Sequence, residues 1–66
     1  MKVVITIDCD SAAFDESRSA EVARILRDAA DHVVMLDLNA WVDPFDRVKW
    51  LRDVNGNKAG LMEVTL

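Results

Sequence analysis

Five consecutive β-branched residues near the start of the chain constrain its fold more than any other feature. Residues 3–7, VVITI, are of the types that pack best on a pleated sheet, and they predict a β-strand. The strand ends at Asp8, and the Asp- and Ser-rich stretch 8–17 is typical of a loop or short turn. Phe14 is the only large apolar residue of that loop, and we expect it to pack on the core.

An amphipathic helix is predicted after this loop. Ser17 or Ser19 can cap its first turn, because a serine hydroxyl accepts a hydrogen bond from a free backbone N–H there. Apolar side chains then recur at helical spacing, at Val22, Ile25, Leu26, Ala29 and Val33. The i, i+4 spacing of opposite charges predicts two ion pairs on the exposed side of the helix, Arg24 with Asp28 and Arg27 with Asp31.

Residues 33–46, VVMLDLNAWVDPFD, fit three structures. They can extend the helix, form a short extra strand, or wrap around the core as an apolar loop. Asp43-Pro44 ends any helix that reaches it, because the residue before a proline disfavours the α conformation.

The end of the chain predicts a β-hairpin. Asn55-Gly56 is a strong turn signal between two strands, residues 48–53 and 59–66. In the second strand Met62, Val64 and Leu66 are expected to face inward, with Glu63 and Thr65 outward. The predicted fold is therefore α+β, in the order β-α-β-β, with one helix packed on a three-stranded, mainly antiparallel sheet. We expect residues 1–66 to form a single domain, and no apolar run approaches the ~18 residues of a membrane span.

Charge is distributed unevenly along the chain. Twelve Asp and Glu residues against eight Lys and Arg residues make the net charge −4. Residues 1–46 contain ten acids and four bases, whereas residues 47–66 contain two acids and four bases. The acidic part repels the phosphates of a nucleic acid. We therefore expect no direct nucleic-acid partner and favour a basic protein surface.

Asp8 and Asp10 form the first candidate for catalysis. An Asp-x-Asp pair at a strand end resembles the nucleophile motif of haloacid-dehalogenase-type phosphatases and the metal-binding pair of some glycosyltransferases. Those enzymes also need a second carboxylate cluster, a phosphate-binding lysine or serine and a lid, which do not fit in 66 residues. The sequence has no glycine-rich phosphate loop either. We therefore expect a protein that is not an enzyme and has no cofactor or metal site.

The second candidate is a metal-binding site at residues 53–57, DVNGN, which resemble the first half of a calcium-binding loop. Such a loop needs a glutamate at its twelfth position, which is Val64 here, and its glycine comes two positions too early. A hairpin turn is the favoured interpretation. Cys9 is the only cysteine, and its acidic neighbours disfavour the reactive thiolate. His32 has no nucleophile partner in the sequence, so neither residue is expected to be catalytic.

The three aromatic residues after the helix are expected in the core or at its edge: Trp41, Phe45 and Trp50. An alternative is a weak base-stacking platform, because basic residues surround one of them. Those basic residues are Arg47, Lys49 and Arg52.

The remaining unusual feature is the excess of carboxylates. One interpretation is a solvated surface that keeps a small protein soluble. The other is an acidic patch that approximates the charge density of DNA and occupies a DNA-binding groove. The candidate partner-binding residues are Asp8, Asp10, Asp15, Glu16, Glu21, Asp28, Asp31, Asp37, Asp43 and Asp46.

The chain as a whole resembles short proteins encoded by phages and prophages. The resemblance lies in three stretches, ITIDCDSAAF at 5–14, AEVARILRDAAD at 20–31 and LRDVNGNKAG at 51–60. Anti-CRISPR proteins recur among such small acidic phage proteins, and some of them mimic DNA. The resemblance implies an inhibitor that covers the DNA-binding subunit of a type I CRISPR surveillance complex, in the cytoplasm of the bacterial host. Such a mimic is expected to be monomeric on its own.

The alternative function is that of a structural or accessory phage module. It would be non-enzymatic and could dimerise through the exposed edge of its sheet. Its interface would then contain Val42, Phe45 and Trp50.

Overall fold

The computed structural model describes all 66 residues, and its elements follow the predicted order. The strands are β1 (Lys2–Ile7), β2 (Val48–Arg52) and β3 (Lys58–Thr65), and the helix is α1 (Arg18–Val34). Short 3₁₀-helical turns lie at Ala12–Phe14 and Pro44–Arg47. The predicted α+β fold, one helix on a three-stranded antiparallel sheet, is confirmed.

The sheet has the order β1-β3-β2, and β3 is antiparallel to both neighbours. Residues that oppose each other in an antiparallel pair project from the same face. Ile5 and Lys49 both oppose Met62, so these side chains share the face that α1 covers, which we call the helix-side face. Val4 and Trp50 project from the opposite, open face. The sheet therefore has one covered face, one open face and two edge strands.

The helix α1 begins at the predicted cap. The Ser17 hydroxyl accepts a hydrogen bond from the Ala20 N–H at 3.1 Å, so Ser17 and not Ser19 is the N-cap. Ile25 and Ala29 are fully buried, whereas Leu26 is exposed. The apolar stripe predicted for the helix is therefore buried along only one side. The helix also does not combine the length and apolarity needed to cross a membrane.

The core is a single apolar layer between α1 and the sheet. It consists of Phe14, Ile25, Ala29, Leu51, Ala59, Met62 and Val64. The expected burial of Phe14 is confirmed, as are the inward orientations of Met62 and Val64. The inward orientation predicted for Leu66 is wrong, because β3 ends one residue earlier and Leu66 is exposed.

Two of the three alternatives for residues 33–46 are each correct in part, because α1 extends through Val34 and residues 35–43 form a loop. The extra strand does not form. The Asp43 carboxylate accepts a hydrogen bond from the Phe45 N–H at 2.9 Å and begins the turn Pro44–Arg47. Val42 is buried, but Trp41 and Phe45 are exposed, and so is Trp50. The prediction that these aromatic residues belong to the core is wrong. The single internal layer is already filled by other side chains, Phe14 among them.

The hairpin turn at Asn55-Gly56 is confirmed. Gly56 has a φ of 83°, a conformation that glycine adopts without steric cost. The Asp53 carboxylate accepts hydrogen bonds from the N–H groups of Asn55 and Asn57, at 2.9 and 3.0 Å. A register irregularity between Leu51 and Arg52 interrupts the β2–β3 ladder just before this turn.

The two glycines provide a matched test of this geometry. A methyl group at Gly60 would overlap the backbone carbonyl oxygen of Thr6 and would lie 3.2 Å from the Ile7 Cα, so β1 would have to move away from β3. Gly60→Ala is therefore expected to lower the free energy of unfolding by about 3 kcal/mol. Gly56→Ala meets no atom within 4 Å and is strained only by its positive φ, at a cost of about 1 kcal/mol. Urea denaturation monitored by circular dichroism measures the free energy of unfolding of both variants, and Gly60→Ala should lose more. Equal losses of unfolding free energy would contradict the β1–β3 register.

Candidate functional site

Two buried carboxylates, Glu21 at 7% and Asp53 at 4% exposure, hold the hairpin to the rest of the fold. Glu21 accepts hydrogen bonds from Arg24 Nε at 2.6 Å and from the Val54 N–H at 2.8 Å. Arg24 Nη2 also donates to the Arg52 carbonyl at 2.8 Å. Together these bonds hold the first turns of the helix against the end of β2.

We call Glu21, Arg24 and Asp53 the Glu21 cluster. Their contacts correct the expected role of Glu21. Its side chain is buried and both carboxylate oxygens are occupied, so it does not belong to an exposed acidic surface. Asp28 forms the predicted i, i+4 ion pair with Arg24, at 3.1 Å. The other predicted pair, Arg27 with Asp31, does not form, and Asp31 stays exposed without an ion-pair partner.

Glu21 and Arg24 are both charged at neutral pH. The Arg24 guanidinium bonded to Glu21 lowers the pKa of that carboxyl, burial opposes this effect, and the Val54 N–H lowers the pKa further. The same bond raises the pKa of Arg24. Glu21 is therefore a structural anion and not a proton donor or acceptor near pH 7.

Asp53 is a buried organiser that the sequence interpretation missed. Besides the two turn N–H groups, its carboxylate accepts a hydrogen bond from the Ser11 hydroxyl at 3.2 Å. It thus ties the loop after β1 to the hairpin. The sequence feature that could have predicted this role is the position of Asp53 directly before the turn. Asp and Asn side chains there commonly bond backbone N–H groups two residues further along the chain.

Asp8 and Asp10 are both exposed at the end of β1. The Asp8 carboxylate accepts a hydrogen bond from the Asp10 N–H at 3.1 Å, which shapes the loop. Cys9 between them is half-buried against the core. No group of three or more His, Cys, Asp or Glu side chains is placed to hold a metal ion.

The structure divides the predicted acidic residues into two groups at opposite ends of the molecule. The loop after β1 and the start of α1 lie at one end, which we call the proximal end. The segment between α1 and β2 lies at the other, the distal end, because α1 runs about 25 Å between them. The proximal group is Asp8, Asp10, Asp15 and Glu16, and the distal group is Asp37, Asp43 and Asp46. Asp28 and Asp31 lie on the helix between these ends.

The distal end combines its carboxylates with exposed apolar side chains. Trp41 is 72% and Phe45 is 88% exposed, and Val34 and Met35 at the end of α1 are also exposed. The Arg47 guanidinium lies 4.6 Å from the centre of the Trp41 ring and donates from Nε to the Val42 carbonyl at 3.0 Å. These contacts order one face of Trp41 and leave the rest of the ring to solvent.

The basic platform proposed around Trp50 does not assemble. Lys49 projects from the helix-side face, Arg47 lies against Trp41, and Arg52 Nη1 donates to the Gly56 carbonyl at 3.1 Å. Lys58 of the neighbouring strand lies over the Trp50 ring instead, with its Nζ 4.3 Å from the ring centre.

Comparison with protein-family models, with curated proteins and with solved structures finds no match to this chain.

The Glu21 cluster predicts a dependence of stability on pH. Because the pKa of Glu21 is lower in the folded than in the unfolded chain, its stabilising effect is complete above the unfolded value of about 4.3. The effect is lost as the pH falls through the folded pKa. Glu21→Gln should lower the melting temperature at pH 7 by several degrees and reduce the additional loss below pH ~4.

Glu16→Gln is the matched control, because Glu16 is an exposed glutamate of the same loop-to-helix region without a side-chain partner. It should leave the melting curve and its pH dependence nearly unchanged. Similar melting curves for both variants would show that the cluster does not stabilise the fold.

Proposed function

We propose that this protein is a non-enzymatic inhibitor that docks its distal end on a basic, nucleic-acid-binding surface of a host protein. The observation that carries the proposal is the exposure of Trp41 and Phe45 in the segment between α1 and β2 that also contains Asp37, Asp43 and Asp46. Monomeric proteins seldom leave neighbouring large apolar side chains in water unless these bind something.

The two kinds of residue would have separate tasks. Aromatic side chains that enter pockets contribute most of the binding energy of many interfaces, and Trp41 is already partly ordered by Arg47. Exposed carboxylates contribute mainly to the rate and specificity of association with a positive surface. A groove that binds duplex DNA is strongly positive, since it must match one charge per ~1.7 Å of helix axis.

The resemblance to small phage proteins supports a particular target. We propose that this target is the DNA-binding subunit of a type I CRISPR surveillance complex, met in the cytoplasm of the bacterial host. The net charge of −4 disfavours direct binding to nucleic acid, which supports competition with DNA for the protein over binding to the DNA itself.

A competition experiment with two matched variants tests the proposal. Asp37, Asp43 and Asp46 are changed to Asn in one variant, and Asp8, Asp10 and Asp15 in the other. Asparagine keeps the side-chain oxygen that caps the local turns. Each protein is titrated against the surveillance complex with labelled target DNA at two salt concentrations. The distal variant should displace DNA about tenfold less well, with a weaker salt dependence, and the proximal variant should resemble the wild type.

Trp41→Ala and Phe45→Ala should each weaken displacement through faster dissociation, by about 2 kcal/mol for an anchor residue. Two results would contradict the proposal. Labelled DNA that stays bound at saturating wild-type protein would exclude this target. Full activity of the distal variant, with an unchanged circular dichroism spectrum, would exclude the distal surface.

A further inference from the structure

β1 is an edge strand that nothing covers. The strand order β1-β3-β2 leaves one side of it without a neighbour. Every residue from Lys2 to Thr6 is exposed, and only Ile7 is half-buried. Val3, Val4 and Ile5 expose about two fifths of their surface, so both faces of this strand are apolar and accessible. Such an edge is a ready template for pairing with another strand.

The free hydrogen-bonding groups of this edge can be identified. The Asp8 N–H donates to the Ala59 carbonyl at 2.7 Å, and the β1–β3 register continues from there without a shift. Since antiparallel bonding alternates along a strand, the even-numbered residues of β1 bond β3. The N–H and C=O groups of Val3, Ile5 and Ile7 therefore point away from the sheet, where no strand lies. Only the Cys9 thiol approaches them, with its Sγ 3.9 Å from the Ile7 carbonyl oxygen.

The opposite edge of the sheet, formed by β2, differs from β1 because it carries features that hinder pairing with another strand. β2 contains Lys49 and Arg52, has a register irregularity after Leu51, and directly follows the turn Pro44–Arg47. Charges, bulges and proline are the usual devices that prevent an edge from pairing. β1 has no bulge and no proline, and its charges lie only at its ends.

We infer that β1 pairs with β1 of a second copy of this chain, in antiparallel orientation about a two-fold axis at Ile5. In this register Ile5 opposes Ile5 of the second copy, and Val3 opposes Ile7 of the second copy. All three outward residues then bond, and each pair exchanges two hydrogen bonds, about six in all. The two sheets become one six-stranded sheet with both helices on the same face.

Charge complementarity selects this register. Continuing the pairing outward places Lys2 opposite Asp8 of the second copy, and the symmetry repeats this pair at the other end. A register shifted by two residues bonds fewer of the outward groups and separates these charges. The central part of the strand carries no charge that opposes the contact.

The second copy would also cover apolar surface that the monomer leaves open. Val3 and Ile5 lie on the helix-side face, yet they are exposed because the core residues of α1 pack over β2 and β3. Leu26, the exposed member of the helix stripe, lies on the same side of the sheet. With only ten buried residues in the monomer, this additional burial matters for stability.

This inference does not depend on the proposed function, since the distal end lies outside β1. It replaces the expectation that the protein is monomeric on its own. The dimer would present two distal ends and could bind a repeated target with higher avidity.

Sedimentation equilibrium from micromolar to millimolar concentration, together with amide hydrogen exchange, tests the pairing. The wild type should dimerise, and the amides of Val3, Ile5 and Ile7 should become protected as concentration rises. The Trp50 amide is the internal control, because it points outward from the opposite edge and should stay unprotected.

Ile5→Pro removes an N–H that makes no bond within the monomer, so it should keep the fold and weaken dimerisation at least tenfold. Ile5→Val keeps the N–H and should dimerise like the wild type.

Charge reversal tests the register. Lys2→Asp should weaken dimerisation by about tenfold, since it places like charges opposite each other twice. The double variant Lys2→Asp with Asp8→Lys should restore it. A wild type that stays monomeric at millimolar concentration, a dimer whose β1 amides remain unprotected, or a double variant without recovery would each overturn the inference.

Discussion

The constraint on which the rest of the structure depends is that one helix covers one face of a three-stranded sheet. This arrangement has room for a single apolar layer, and seven side chains of moderate size fill it. Many of the remaining apolar residues then lie on the open face, along β1 or in the distal loop. The exposed aromatic residues and the uncovered edge strand are therefore consequences of the same shortage of interior volume.

A small core leaves much of the tertiary order to polar contacts. The cluster of Glu21, Arg24 and Asp53 joins three segments that are distant in sequence: the loop after β1, the first turns of α1 and the hairpin. Each buried carboxylate is fully bonded, which is the condition under which burial of a charge does not destabilise a fold. The cluster also explains why two of the twelve acids contribute little to the outer field of the protein.

The surface that results has two parts suited to different partners. The distal end presents aromatic side chains among carboxylates, a combination that fits a positive surface with apolar pockets. The β1 edge presents unpaired backbone groups between apolar side chains, which fits another strand of complementary charge order. The two lie on separate parts of the fold, so self-association and target binding can occur together.

The sequence by itself determined the elements, because the signals for them are local. Three signals act through the conformational preferences of neighbouring residues: the β-branched run 3–7, a serine cap at 17 or 19, and Asn55-Gly56. Only the tertiary structure decided which exposed groups lie together, since this depends on contacts between distant segments. It buried Glu21, separated the proximal from the distal acids by the length of α1, and placed Trp41 and Phe45 outside a core that other residues fill.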